Sequence, residues 1–202
     1  MTTLGYAILG LLAQEALSGY DLMGRMKGRV GNFWSASHSQ IYPELARLEE
    51  GGHVTHSVVA QRERPDKKVY EITPEGLEVL REWVTRPPAP RAVRDELVLK
   101  AYSVWLADPE PAARLFRDEE AKHEERLAGY KQTRKWLESE RGAEMMRPDS
   151  PWFAGYASLR RGIIYEKGYI EWCRWVADSI EGKPASPKKG KKKNKKGGKK
   201  GA

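Results

Sequence analysis

Residues 35–51, SASHSQIYPELARLEEG, contain the pattern that decides the fold. Ser37 is a favourable N-cap, because its hydroxyl can accept a hydrogen bond from a free amide of the first helical turn. Ile41, Leu45 and Leu48 then recur at positions i, i+4 and i+7, which makes one face of a helix apolar. Two glycines follow and end the helix. The stretch therefore predicts an amphipathic helix that begins just after Ser37.

The opposite face of this helix is polar near its N-terminus. Short and amide side chains at such a position can contact base edges in a DNA major groove. The positive end of the helix dipole also favours a phosphate there. We therefore predict that the helix contacts DNA through Ser37, His38, Ser39, Gln40, Tyr42, Pro43 and Arg47.

A β-hairpin with a basic tip follows the helix. The segments 54–61 and 69–72 are rich in β-branched residues, which favours two strands, and a Pro-Asp pair between them supplies turn chemistry. A cationic tip suits a phosphate or a minor groove. The sequence predicts DNA contacts from this wing by Arg62, Arg64, Lys67 and Lys68.

Three further helices are predicted around these elements. Their apolar positions are Leu4, Ile8, Leu11 and Leu12 in the first, Leu22 and Met26 in the second, and Leu77, Leu80 and Val84 in the last. Ser18 and Thr73 are the expected N-caps, and Tyr20 fits either a phosphate contact or a packed core ring. Each element alone would also suit a small helical domain with a solvated polar face. Their order is that of a winged helix-turn-helix, which favours DNA binding.

Three linked segments carry a family resemblance: LGYAILGLLAQEALSGYDL, SQIYPELARLEEGGHV and KKVYEITPEGLEVLREWV. In this order and spacing they resemble the PadR family of bacterial transcriptional regulators, strongly over residues 4–86. The rest of the chain is similar to PadR members with an extended all-helical C-terminal domain. The resemblance implies a dimer joined through C-terminal helices, repression of transcription, and effectors such as phenolic acids or flat hydrophobic drugs.

The basic charge of the chain comes from its C-terminal end. The stretch 183–202 contains ten lysines and no acidic residue, so 26 of the 36 basic residues remain elsewhere against 28 acidic ones, a net charge of −2. Without large apolar residues this tail is predicted to be disordered. As a polycation it would raise nonspecific affinity for DNA, and the alternative is a solubility extension. A nonspecific nucleoid-type protein is therefore the second functional hypothesis.

The expected domains are a winged helix-turn-helix unit at 1–86, a helical dimerisation and effector unit at 87–182, and the tail at 183–202. Clustered prolines at 87–90 mark the first boundary. A helix from Asp95 to Leu106 with Leu97, Ala101, Tyr102 and Trp105 buried, a long charged helix to about Arg141, and a last helix from about Trp152 to Ile180 complete a mainly α fold with a small β-hairpin wing.

The last helix has two apolar faces, so we expect two neighbours for it. One neighbour is the long helix of the same chain and the other a second subunit, in line with two-fold operators; a monomeric bundle is the alternative. The predicted dimer seam follows a heptad pattern: Tyr156, Leu159, Ile163, Ile170, Cys173, Ala177 and Ile180.

Aromatic residues are concentrated in the second domain. Planar rings with polar tips can line a pocket for a flat aromatic ligand, although tryptophans at helical spacing also suit a core. The candidate effector residues are Trp105, Trp136, Trp172, Trp175 and Tyr169. Arg160 and Arg161 could pair with a ligand carboxylate, although solvent or Glu171 is the plainer expectation.

The sequence argues against an enzyme. The four histidines lack metal-ligand spacing, and no nucleophile elbow, phosphate loop or dinucleotide fingerprint is present. No catalytic residue, metal or cofactor is therefore expected. The single cysteine, Cys173, fits a buried small hydrophobe better than a redox sensor. No signal sequence or membrane span is apparent, so the predicted location is the cytoplasm.

Overall fold

The computed structural model describes residues 1–26, 37–60, 66–90 and 94–183. Short 3₁₀ turns at Val104–Leu106 and Gly142–Met146 interrupt the second half of the chain. The fold is mainly helical with a small antiparallel sheet, which confirms the predicted class. The elements are α1 (Thr3–Leu12), β1 (Leu17–Ser18), α2 (Gly19–Arg25), α3 (His38–Glu50), β2 (Val54–Val59), β3 (Lys67–Ile72), α4 (Pro74–Thr85), α5 (Glu96–Tyr102), α6 (Pro109–Arg141) and α7 (Pro151–Ile180).

The N-terminal helices and the sheet enclose one apolar core. The predicted apolar face of α3 lies inside it, since Ile41, Leu45 and Leu48 are at most 2% exposed. Burial of each such side chain is worth about 1.5–3 kcal/mol, which fixes the orientation of α3. The other buried members are Ile8, Leu9, Leu11, Leu12, Leu17, Leu22, Met26, Val54 and Tyr70.

The sheet has three strands in the order β1-β3-β2, with β3 in the centre. On one side β3 pairs with β2, from Val54 opposite Ile72 to Val59 opposite Lys67. On the other side Ser18 lies opposite Val69. Two residues are too few to show strand periodicity, so the sequence did not indicate β1. Residues 61–65, which include Arg62 and Arg64, lie outside the described residues.

The helix caps follow the sequence. The Ser18 hydroxyl accepts a hydrogen bond from the Asp21 backbone N–H at 3.2 Å, and Thr73 accepts one from the Gly76 N–H at 3.0 Å. Thr73 also donates to the Gly52 carbonyl at 2.7 Å, which joins α4 to the start of the wing. These bonds confirm the predicted N-caps of α2 and α4.

The apolar face of α4 differs from the prediction at one position. Val84 was expected in the core, but it is 68% exposed. Trp83 makes the contact with α1 instead, and its ring stacks on Tyr6 at a centroid distance of 4.5 Å. α4 is thus held by Leu80 at the core and by Trp83 beyond it.

Contacts divide the chain into two compact units, residues 1–93 with 130–163, and residues 94–129 with those from 164 onwards. The core of the second unit contains Phe116, Cys173, Val176 and Ala177, with Leu97, Ala101 and Val104 packed against it. Tyr102 and Trp105 were predicted to be buried there, and this is wrong: they are 83% and 79% exposed. α5 ends at Tyr102, and the 3₁₀ turn that follows turns Val104 inward instead of Trp105.

Within residues 1–26, 37–60, 66–90 and 94–183, no helix combines the length and the apolar character that a bilayer-spanning segment needs.

Candidate nucleic-acid interface

The first turn of α3 places short polar side chains on the surface. The Oε1 atom of Gln40 accepts hydrogen bonds from the Ser37 backbone N–H at 2.9 Å and from the Ser37 hydroxyl at 3.0 Å. The Ser37 hydroxyl also lies 2.8 Å from that of Ser39. Local bonds therefore occupy the carbonyl end of the Gln40 amide. A two-bond contact with adenine uses both ends of the amide, so it would require Gln40 to leave Ser37.

The remaining side chains on this face are also accessible. Ser39, Pro43 and Arg47 are exposed, and they lie at helical spacing on one side of α3. Tyr42 is 41% exposed beside them. His38 is the first residue of α3, and its side chain lies outside what the structure describes. The structure thus brings together Ser37, Ser39, Gln40, Tyr42, Pro43 and Arg47 on one surface.

A buried carboxylate that the sequence did not single out supports this surface. Glu44 is only 4% exposed, and its Oε1 accepts a hydrogen bond from the Thr2 hydroxyl at 2.6 Å. Its Oε2 accepts one from Arg47 Nη1 at 3.1 Å. The close approach of α1 depends on Gly5, where a Cβ atom would lie 2.7 Å from Glu44 Oε1. The carboxylate of Glu44 therefore binds both the Thr2 hydroxyl at the start of α1 and the guanidinium of Arg47.

The two lysines of the wing have different surroundings. Lys67 Nζ lies 2.9 Å from Asp21 Oδ2, in the first turn of α2. The Ser18 hydroxyl and the Lys67 ammonium hold the pKa of the Asp21 carboxyl below its ordinary value. Lys68 is exposed and makes no ion pair within the part of the chain that the structure describes.

Tyr20, which fitted two roles in the sequence, is 77% exposed at the start of α2. A core position for this ring is therefore excluded. The ring is accessible to solvent in the first turn of α2, where a DNA backbone could contact it.

The candidate effector residues have different surroundings. Tyr169 and Trp172 meet edge to face at 5.3 Å, and the Tyr169 ring stacks on His123 at 4.1 Å. Trp105 and Trp175 are exposed, at 79% and 57%. Trp136 belongs to the other compact unit and pairs with Trp152. The structure thus brings Tyr169 and Trp172 together within the second unit, and a binding role for all five residues stays a prediction.

An open cavity of about 350 Å³ lies beside Tyr169. The Tyr169 hydroxyl donates a hydrogen bond of 2.6 Å to Asp95 Oδ2, which lowers the pKa of Asp95. Burial, and then this bond, raise the pKa of Tyr169. The cavity is lined by Arg94, Asp95, Glu96, Leu97, Lys100, Leu115, Glu119 and Tyr169.

The predicted dimer seam is covered by the chain itself. Leu159, Ile163, Ile170, Cys173 and Ala177 are at most 7% exposed, while Tyr156 and Ile180 are half-buried. Cys173 and Ala177 lie with Phe116 of α6 in the core of the second unit. Most of this face is therefore covered within one chain, which leaves little of it open to a second subunit.

A different apolar surface is open in the second unit. Its members lie at helical spacing on α5 and the 3₁₀ turn after it, and each is between 49% and 83% exposed. We call the α5 apolar surface the set Val98, Leu99, Tyr102, Trp105 and Leu106. Single exposed apolar residues are ordinary, whereas five on one short segment form a candidate contact surface.

A helix with an exposed polar first turn, packed on the short helix α2 and followed by a wing with lysines, defines a winged-helix DNA-binding protein. The model of the transcriptional regulator PadR-like family matches residues 8–82, and that of the virulence activator alpha C-term matches residues 93–181. The negative transcriptional regulator PadR of Bacillus subtilis strain 168 is 38% identical over 182 residues, which is 90% of this chain and 99% of the relative. The chain therefore belongs to the PadR family of transcriptional regulators, and it is not an enzyme.

Two solved structures are similar over nearly the whole chain. Bacillus subtilis PadR in complex with operator DNA has a TM-score of 0.78 and 37% identity, and covers 89% of this chain and 99% of its own. The same protein in complex with p-coumaric acid has a TM-score of 0.74 and 36% identity, with the same coverage.

Proposed function

We propose that this regulator is a dimeric repressor that binds operator DNA through α3 and the wing and leaves it when a small aromatic ligand binds. The observation that carries the proposal is the common surface of Ser39, Gln40 and Arg47 on α3. The solved complex of the similar Bacillus subtilis protein with operator DNA supports it. Repression is supported by the similar Bacillus subtilis protein, which is named a negative transcriptional regulator.

Base contacts and phosphate contacts are divided between two parts of this surface. Gln40 and Tyr42 choose the sequence, since an amide and a phenol can bond to base edges in the major groove. Arg47, Tyr20 and the wing cations, Arg62 and Arg64 included, bind phosphates, which adds affinity for any duplex.

The second subunit binds at the α5 apolar surface. A dimer places two copies of α3 on two operator half-sites, as a two-fold site requires. Exposure of Leu99, Tyr102 and Trp105 at 66% or more supports this surface over the buried seam of α7.

The ligand class is a flat phenolic acid. The solved complex of the Bacillus subtilis relative with p-coumaric acid supports this choice. In this chain, the rings of Tyr169 and Trp172 offer stacking surfaces, and Arg94 in the cavity beside Tyr169 offers a cation for a carboxylate. Lys100 in the same cavity is paired with Glu96 at 2.8 Å. p-Coumaric acid should release the protein from operator DNA, and Tyr169→Leu should raise the concentration needed.

The experiment that tests the function is a mobility shift and footprint on the DNA upstream of the protein's own gene, with random DNA of the same length as competitor. A protected palindrome at concentrations that leave random DNA free supports a repressor. Equal affinity for both DNAs, with a steep salt dependence, would instead support the nucleoid-type function.

Deletion of the lysine-rich tail distinguishes the repressor from the nucleoid-type protein further. Residues 184–202 lie outside the described residues, so the prediction of disorder there stays a prediction. Deletion of 183–202 should lower the affinity for operator and random DNA by similar factors and keep their ratio, because lysines bind phosphates without choosing a sequence. If deletion reduced the ratio of operator affinity to random-DNA affinity, the tail would take part in sequence recognition.

A further inference from the structure

An ion pair connects the wing to the helix beneath α3. Lys67 is the first residue of β3, and its Nζ lies 2.9 Å from Oδ2 of Asp21. The same Oδ2 atom accepts a hydrogen bond of 2.7 Å from the Ser18 hydroxyl. Asp21 thus has two functions, since it completes the N-cap of α2 and holds a wing lysine.

Lys67 can readily exchange Asp21 for another anion. The side chains of Lys67 and Asp21 are 39% and 41% exposed, and ion pairs at such exposure contribute about 1 kcal/mol or less. A duplex phosphate attracts a lysine more strongly overall, because each contact releases condensed counterions from the DNA. A single carboxylate on the protein has no such counterions to release.

We propose that Asp21 acts as an internal phosphate mimic, which occupies Lys67 in the free protein and gives it up to a DNA phosphate on binding. Asp21 then lowers affinity for every duplex by the free energy of the broken pair. At a given protein concentration, occupancy of a DNA site then depends more on the base contacts. The inference rests on the proposed role of Lys67 as a phosphate contact.

The main test is Asp21→Asn, which removes the charge but keeps an oxygen that can accept from Ser18. Affinity for operator and random DNA should both rise about two- to fivefold, the factor that corresponds to an exposed ion pair. The slope of log affinity against log salt should not change, because Lys67 contacts phosphate in both proteins. In a Lys67→Gln background, Asp21→Asn should give no gain in affinity over Lys67→Gln alone.

The chain offers a matched control on the same unit. Glu15 and Arg25 form an ion pair with the same 2.9 Å separation and the same exposures, 39% for Arg25 and 41% for Glu15, outside the wing. Glu15→Gln therefore removes one negative charge and one equivalent pair. An equal gain in affinity from Glu15→Gln and Asp21→Asn would overturn the proposal, since net charge alone would then explain it.

The remaining outcomes separate this inference from the proposed function. Lys67→Gln should flatten the salt slope by about 0.9, and an unchanged slope would remove Lys67 from the DNA contacts and with it the proposal. If Lys67→Gln leaves the slope unchanged but Asp21→Asn steepens it, Lys67 stays paired with Asp21 on DNA in the wild type and exchange is excluded. Asp21→Ser repeats the test if thermal unfolding shows that Asn disturbs the cap.

Discussion

The ring of Tyr42 on α3 lies directly against the backbone of Gly19, the first residue of α2. A Cβ atom at Gly19 would be 2.6 Å from Cε1 and 2.8 Å from Cζ of the tyrosine, closer than real side chains approach. The absence of a side chain at Gly19 therefore leaves room for the Tyr42 ring against the first turn of α2. A methyl group added at Gly19 would move the ring of Tyr42, a proposed base contact.

Gly19→Ala should displace the Tyr42 ring and lower operator affinity more than random-DNA affinity. A lost base contact costs about 1–3 kcal/mol, while phosphate attraction remains. Gly24→Ala is the matched control, because this residue of the same helix has nothing within 4 Å of an added Cβ. It should stabilise α2 by about 0.5–1 kcal/mol without any effect on operator preference. Mobility shifts that show the same preference for both variants would contradict the coupling.

Glu44→Ala should destabilise the N-terminal unit by about 1–3 kcal/mol, because the hydrogen bond from the Thr2 hydroxyl to the charged Glu44 carboxylate is lost. Urea unfolding measures this. Glu50→Ala, at an exposed position of the same helix, should stay within about 0.5 kcal/mol of the wild type. If the two variants lost similar amounts of unfolding free energy, the Glu44 contacts would not contribute to stability.

Leu99→Glu and Tyr102→Glu should convert the proposed dimer to a folded monomer with weaker operator binding. Both side chains are exposed in the single chain, so their replacement leaves its core intact. Ile170→Asp should instead unfold the second unit, because its carboxylate would be buried without a partner. Analytical ultracentrifugation together with circular dichroism distinguishes these results. Folded dimers of both α5 variants would rule out this surface.

Cys173 should resist thiol reagents in the native protein at pH 8. The side chain is 0% exposed, and burial raises the pKa of its thiol to about 11. A raised native pKa means that the thiol's contribution to stability is complete below the unfolded pKa near 9 and is lost as the pH rises toward 11. Ser179→Cys in a Cys173→Ala background, at an exposed position of α7, should react at once. Equal labelling rates for the two cysteines would show that this core opens freely.

Features that depend on local sequence were predictable. The apolar face of α3 follows from 3.6-residue periodicity, and the caps at Ser18 and Thr73 depend only on a side-chain oxygen and the amides of the next turn. The wing was predictable from β-branched runs around a turn, with its ends shifted by about two residues at each strand.

Tertiary structure alone decided what covers each surface. The heptad pattern of α7 showed that Ile170 and Cys173 face something apolar, but not whether the partner was α6 or a second chain, because periodicity describes one helix without its neighbours. The bond between Thr2 and Glu44 joins residues 42 positions apart, and no local pattern links them. The pairing of Lys67 with Asp21 likewise arises only when β1 and β3 meet. The sequence by itself therefore determined the main helices, the wing and the DNA-binding class, while packing decided the short strand β1, which charged side chains are paired, which aromatic rings meet and which apolar face remains open.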